Sequence, residues 1–252
     1  MARRPRRRSE SGLYHVMLRG INKQIIFESD DDRFQLLSTM KRFVDTNKFV
    51  LYGYCLMDNH VHLLIQELED DISNAIKRIC SSYVLWYNKK YERCGHLFQE
   101  RFKSQPVETD NYFLMILRYI HQNPIKARLC KDLLEYKWTS YREYIQKPII
   151  VDTEFCLSLF SPDMDRAVDL FIEYMTQNNE DSFPAFEDNI SLTDTEVLIK
   201  LNDMGIRNIS ELQKLEKNRR NSFIKELKMT KGISIRQISR ITGISKGIVE
   251  RS

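Results

Sequence analysis

Residues 49–66 read FVLYGYCLM, then Asp58–Asn59, then HVHLLIQ. Two apolar runs rich in β-formers flank a two-residue turn signal, which predicts a hairpin with strands over 49–57 and 60–66. Upstream, Leu13 to Arg19 (LYHVMLR) alternates and predicts another strand. Ser29 is placed to cap a helix from Asp30, with acidic residues in its first turn and Phe34, Leu37, Met40 and Val44 as its apolar stripe. Downstream, Ile72, Ile76, Ile79, Tyr83, Trp86 and Tyr87 trace the buried face of a long helix, and Cys94–Gly95 ends that region. Residues 98–108 (FQERFKSQPVE) predict a strand that Pro106 restricts to an edge or an end. A helix over 111–123 follows, ended or kinked by Pro124. The fold class expected is α+β. The order β-α-β-β-α-β, with an added helix, is the ferredoxin-like pattern of a four-stranded antiparallel sheet with helices on one face. Its first and third strands are central neighbours.

The chain has 252 residues, 42% of them hydrophobic, which is too apolar for a disordered protein. No apolar run approaches the ~20 residues that span a bilayer. The start carries five arginines with no apolar stretch behind them, unlike a secretory signal. Cys55, Cys80, Cys94, Cys130 and Cys156 form no CxxC pair. They read as reduced thiols of a cytoplasmic protein, not as a disulfide framework or a zinc site. Glycine fingerprints for nucleotide phosphates are absent.

The net charge of +4 conceals an asymmetry. Residues 1–150 carry 25 basic and 18 acidic side chains, residues 151–190 carry 1 and 10, and residues 214–252 carry 11 and 3. Two basic blocks flanking an acidic stretch favour a polyanion partner, because each neutralised phosphate releases counterions. For any single run, a solvated surface is the better reading. The pattern divides the chain into a basic arm (1–12), an α+β domain (13–150), an acidic connector (151–190) with a short helix around 163–176, and a helical region (191–252). In the last, Ser234 caps IRQISRI, Gly243 makes a turn and Ser245 caps KGIVERS, a helix-turn-helix signature. Arg236, Arg240, Lys246 and Arg251 tilt it toward DNA; a small helical bundle with no DNA role is the bland alternative.

The chemistry concentrates in His60-Val61-His62. On a strand, both imidazoles point one way and Val61 the other. Two neutral imidazoles on one face can chelate a divalent ion. A lone HxH is a weak signal, but these are two of only five histidines, beside an apolar run where burying both without partners would be costly. Residues 119–124 read YIHQNP. Tyr119 and Asn123, four apart on a helix, share a face and could approach a metal on the sheet. His121 points elsewhere. Taken singly, Tyr119 could be a core tyrosine and Asn123 a helix terminator before proline.

Five ordered segments carry these residues: LYHVMLRGIN, CLMDNHVHLLI, WYNKKYERCGHLFQERFKS, LRYIHQNPIKARL and KWTSY, over roughly residues 10–145. They resemble the single-tyrosine transposases of the HUH endonuclease superfamily, particularly the REP-associated tyrosine transposases. The resemblance implies that His60 and His62 are ligands of Mg²⁺ or Mn²⁺, that Tyr119, on the added catalytic helix, is the nucleophile, and that Asn123 completes the metal site. Many relatives have glutamine at that last position, and Gln122 is the alternative by residue type. It further implies a 5′-phosphotyrosine intermediate on single-stranded, hairpin or REP-like DNA, and a nucleoid-associated location when DNA is bound. Monomers and homodimers both occur among such proteins. Arg19, Arg101 and Lys103 are candidate phosphate contacts and Phe102 a candidate base-stacking residue. His15 is expected beside the HUH strand, either behind a ligand or simply packed. Arg3, Arg4, Arg6, Arg7 and Arg8 form the arm, and Trp138 and Tyr141 read as packing residues.

Other readings compete. One is a domesticated relative that binds DNA without turnover, to be separated by incubating a labelled hairpin with and without Mn²⁺. Another is a TIM-barrel metal hydrolase, but His15, His96 and His121 do not supply its further ligands and the elements do not repeat as β-α. A replication initiator or relaxase fits less well than a transposase with a single YxxxN helix.

Overall fold

A computed structural model describes residues 7–99, 101–179, 181, 183, 194–206, 208–230 and 233–252. Arg3, Arg4 and Arg6 of the basic arm lie outside these residues, as does most of 180–193. The chain divides into two compact units, 1–185 and 186–252.

The first unit is built on one sheet. Strands β1 (Leu13–Arg19), β2 (Phe49–Met57), β3 (His60–Glu67) and β4 (Lys103–Pro106) lie in the order β2-β3-β1-β4, with each neighbouring pair antiparallel. β1 and β3 are therefore the central neighbours, in register from Leu13–Gln66 to Arg19–His60. Paired residues project to the same face, so Lys103, Met17, His62 and Cys55 form one row across the sheet. The β2–β3 turn is pinned by backbone bonds from the end of β1 onward: Gly20 N–H donates to Asn59 O at 2.9 Å and Ile26 N–H to Asp58 O at 2.8 Å.

The strand expected over 98–108 is confined to Lys103–Pro106. Pro106 ends it, and upstream a Gly20–Phe98 bridge, a 2.7 Å bond from Gln99 N–H to Arg19 O and a 2.9 Å bond from Ile21 N–H to Leu97 O continue the contact.

α1 (Asp30–Val44) buries Arg33, Leu36 and Met40, while Phe34 is 58% exposed and meets Trp138 edge-on. Of the expected stripe, Met40 is buried and Leu37 and Val44 are half-buried, while Phe34 is displaced outward because Arg33 takes the inward position beside it. Arg33 buries its stem and pairs its guanidinium with Asp58. α2 (Ile72–Lys90) is capped by Asp71, whose Oδ1 accepts from Asn74 N–H at 2.8 Å, and buries Ile72, Ile76, Ile79, Tyr83 and Tyr87. Trp86 is only half-buried, stacked beside Tyr83. α3 (Asp110–Lys126) is capped by Thr109 and runs through Pro124 instead of stopping at Asn123. The proline removes a single N–H in the last turn, so one bond is lost and the helix survives. α3 sits close to β2: a Cβ built on Gly53 would lie 2.6 Å from Leu117 Cδ1. The β2–β3 register shifts at this place, between Leu51 and Gly53.

Beyond α3 the chain returns to β2. Leu56 N–H donates to Trp138 O and Ser140 N–H to Tyr54 O. α4 (Tyr141–Ile145), α5 (Glu154–Ser158) and α6 (Met164–Thr176) follow. Buried Glu143 accepts from the amides of Ile149, Ile150 and Val151 and from the Tyr54 hydroxyl. Phe171 of α6 is fully buried, with its ring stacked 4.6 Å from Tyr144 and 5.9 Å from Tyr141. Trp138 and Tyr141 are both buried.

The second unit is helical among its described residues: α7 (Asp194–Asp203), α8 (Ile209–Lys214), α9 (Lys217–Met229), α10 (Ile235–Thr242) and α11 (Lys246–Arg251). Its core includes Val197, Leu201, Leu212, Ile224, Leu227, Ile238 and Val249. Ser234 caps α10, accepting from Gln237 N–H at 3.1 Å. Gly243 turns the chain with φ 67°, a left-handed conformation that favours glycine. Ser245 stands at the N-cap of α11, but its side chain makes no capping bond, unlike the expectation for KGIVERS. Among the described residues, no helix is long and apolar enough to cross a membrane.

One buried acid ties the start of α1 to the end of α2. Asp32 is fully buried and accepts from Glu28 N–H at 2.6 Å, Ser29 N–H at 2.9 Å, Lys90 Nζ at 2.6 Å and the Tyr91 hydroxyl. Burial alone would raise its carboxyl, but these hydrogen bonds outweigh burial and hold it below the usual carboxylate range. The stabilisation is therefore complete above about pH 4 and is lost as pH falls through the lowered value. Asp32→Asn is expected to cost about 2 kcal/mol in urea unfolding at pH 7, with the difference from the parent narrowing in acid.

Candidate active site

The register of β1 and β3 sets the floor of the site. His60 and His62, two apart on β3, share one face, and the intervening Val61 is fully buried on the other with Leu63 and Ile65. The two imidazole centroids are 5.1 Å apart with their planes at 88°. Two imidazoles sharing a cation at about 2.1 Å from each nitrogen have centroids roughly 5 Å apart, so the spacing suits a shared divalent ion. His60 Nδ1 lies 2.6 Å from Asn59 Oδ1, and His62 Nδ1 lies 3.0 Å from Nε2 of His15. Both contacts use Nδ1, so Nε2 is the atom each ring would present to a cation.

His15 and His62 are 0% and 1% exposed. Burial lowers His15 to about 3. Burial also pushes His62 well below its ordinary value, helped by the positive charge His60, His15 and Arg19 would carry. Both are therefore neutral near pH 7, as metal ligation requires. Among the described residues, no group of three or more His, Cys, Asp or Glu could hold a metal. A cation on this face would rest on two imidazoles and an uncharged donor such as an amide oxygen.

α3 covers the histidine-bearing face. Its Tyr119 ring stands edge-on to His62 at 5.5 Å and 87°, and 5.8 Å from His15. Tyr119 is 7% exposed. Asn123 is half-buried, one turn further along α3. Gln122 is committed elsewhere: its amide donates to Met175 O at 2.8 Å and Gln177 O at 3.1 Å. His121 is also directed away, with Nε2 2.8 Å from Ser140 Oγ and the rings of Tyr141, Tyr144 and Phe171 around it. Burial lowers it to about 3.

Two neighbours of Tyr119 were not foreseen. Phe183 meets its ring edge-on with centroids 4.7 Å apart, and Lys126 Nζ is 5.4 Å from its centroid. Lys126 is tied down, donating to Asp181 O at 2.8 Å, and Arg118 pairs with the Asp181 carboxylate at 2.9 and 2.8 Å. Lys126, seven residues beyond Tyr119, could have been found from helical spacing. Phe183 lies in an acidic stretch with no periodic signal. In the sequence Asn59 signals only a turn.

Of the candidate DNA contacts, Arg19 pairs across from His60, and exposed Lys103 shares the His62 row. Arg101 is exposed just outside β4, and Phe102 is half-buried. In the second unit Arg236 and Arg251 are exposed, Arg240 pairs with Asp194 at 2.6 Å, and Lys246 pairs with Glu250 at 3.2 Å.

Residues 9–123 match the family model described as Transposase IS200 like. Further similarities are to proteins described as REP-associated tyrosine transposases. A Haemophilus influenzae protein provisionally named as one is 25% identical over 124 residues, covering 44% of this chain and 70% of that protein. A solved REP-associated tyrosine transposase bound to a REP hairpin matches with a TM-score of 0.56 and 15% identity, covering 76% of this chain and 100% of that one. At that identity the match concerns the fold alone.

The buried imidazoles make a pH prediction. A histidine held neutral in the fold binds its proton only after unfolding, so stability falls as pH drops from about 6.5 toward about 3, by ~1.4 kcal/mol per pH unit for each such group. Ring resonances of His15 and His121 are expected to keep neutral-form shifts down to about pH 5. Titration of either near its ordinary value would contradict this.

Proposed function

We propose that the first unit is a transposase-type endonuclease and strand transferase acting on single-stranded or hairpin DNA of the REP type, with Tyr119 as its nucleophile. The observation that carries this reading is the Tyr119 ring edge-on to His62 at 5.5 Å, over a strand face that holds both histidines. The match to the IS200-like family model supports the reaction class, and the similarity to a hairpin-bound structure supports the substrate class.

Nε2 of His60, Nε2 of His62 and the side-chain oxygen of Asn123 would hold Mg²⁺ or Mn²⁺, which supplies Lewis-acid polarisation of the scissile phosphate. The Tyr119 oxygen attacks phosphorus in line. The phosphorus–O3′ bond breaks, the departing O3′ takes up a proton, and the DNA 5′ end remains joined to Tyr119 as a phosphodiester. The bond's energy is conserved, so rejoining to another 3′-OH needs no nucleotide cofactor. Arg19 and Lys103, on the same face, hold backbone phosphates, with Arg101 beside them, and Phe102 stacks on an unpaired base.

We read the β-α-β-β-α-β order as a ferredoxin-like frame for residues 13–150, preceded by a basic arm and followed by the 151–190 stretch. Residues 191–252 form a DNA-binding region in which α10, the Gly243 turn and α11 act as a helix-turn-helix. Arg236, Arg240, Lys246 and Arg251 face phosphates there. The protein works in the cytoplasm, on the nucleoid when DNA is bound.

A second reading, a DNA-binding relative without turnover, is favoured by the coverage of Tyr119, which is 7% exposed with Phe183 edge-on beside it. One experiment separates the two. The parent protein incubated with a labelled REP-type hairpin and Mn²⁺ is expected to form an adduct that survives denaturing electrophoresis. Tyr119→Phe retains the gel shift and forms no adduct, and chelation by EDTA abolishes it in the parent. An adduct in the Phe variant excludes Tyr119 as nucleophile, and none in the parent favours the second reading.

A further inference from the structure

We infer that Asn59 and His15 are positioning residues that set the tautomers of His60 and His62, so that both imidazoles present Nε2 to a divalent cation. This deepens the reading above and rests on His60 and His62 being the ligands.

The Asn59 amide is oriented by its own contacts. Its Nδ2 donates to Lys23 O at 3.3 Å, which turns Oδ1 toward His60 Nδ1 at 2.6 Å. A carbonyl oxygen can only accept, so His60 carries its proton on Nδ1 and keeps the Nε2 lone pair. At His62 the partner is the fully buried His15 on the adjacent strand, with Nε2 3.0 Å from His62 Nδ1. One of these two nitrogens donates and the other accepts. With His15 accepting, His62 holds its proton on Nδ1 and offers the Nε2 lone pair. With the roles exchanged, hydrogen would occupy the ligating atom. The His15 plane is held by ring contacts with Tyr119 at 5.8 Å and Phe183 at 5.9 Å, and its Cα partner Leu64 is fully buried.

The two partners sit on different elements, one in the hairpin turn and one in the sheet centre, yet both engage Nδ1. An outer partner of this kind fixes the ring's direction and raises its basicity as a ligand, and losing it lowers metal affinity about 10- to 100-fold.

The test uses the full chain without DNA. Mn²⁺ affinity is measured from the electron paramagnetic resonance of the free ion, for the parent, Asn59→Ala, His15→Phe, His15→Gln and the ligand control His60→Ala. Asn59→Ala and His15→Phe are expected to weaken binding about 10- to 100-fold, and His15→Gln, whose amide oxygen can accept from His62, to restore it to within about threefold of the parent. Nitrogen-15 spectra of the metal-free parent are expected to show both His60 and His62 protonated on Nδ1, a readout that needs no variant to fold. Parent-like affinity in Asn59→Ala and His15→Phe, with His60→Ala impaired, overturns the positioning role and leaves the ligands standing. Parent-like affinity in His60→Ala removes the ligand reading itself. A proton on Nε2 of His62 overturns the inference directly.

Discussion

β3 is paired on both edges, to β1 and to β2, so its alternate side chains have only two places to go. Val61, Leu63 and Ile65 fill one face and are fully buried. His60 and His62 take the other. A one-residue slip would exchange these sets, burying imidazoles in the apolar layer and turning valine toward the tyrosine. The apolar content of the strand thus guarantees the orientation of its polar pair. The same register aligns Met17 and Lys103 with His62, and Arg19 with His60.

What stands on that face is held by polar contacts inside a poorly solvated layer. An imidazole nitrogen buried without a partner costs about 1–3 kcal/mol, which is why the contact between His15 and His62 matters to stability as well as to chemistry. The helix over it comes close because Gly53 carries no side chain and β2 is irregular there. Small size on one strand and two histidines on the next together decide how near a phenol on α3 can come.

Much of the first unit was legible before any coordinates. β1 and β2 begin and end where alternation and turn residues place them, because short β-rich runs bounded by polar turns leave little choice. The misreadings have physical causes. Arg33 took an inward position on α1 that hydropathy assigns to Phe34, and Pro124 was tolerated because the last helical turn loses little by it. The sharing of a face by His60 and His62 follows from period two alone. Phe183, Asp181 and the contact between His15 and His62 depend on tertiary neighbours that no local pattern encodes. Ser245 shows the converse: a residue of the right type at a cap position whose hydroxyl makes no cap.

Glu143 gathers three consecutive amides and the Tyr54 phenol onto one carboxylate, just before Asp152 N–H reaches Leu51 O on β2. Its neighbour Tyr144 stacks on Phe171, and both rings pack against His121 on the underside of the tyrosine helix. That makes Glu143 the keystone of a rear buttress. Damage there would loosen α3 from behind, and a lesion remote from any DNA would masquerade as a defect in the chemistry.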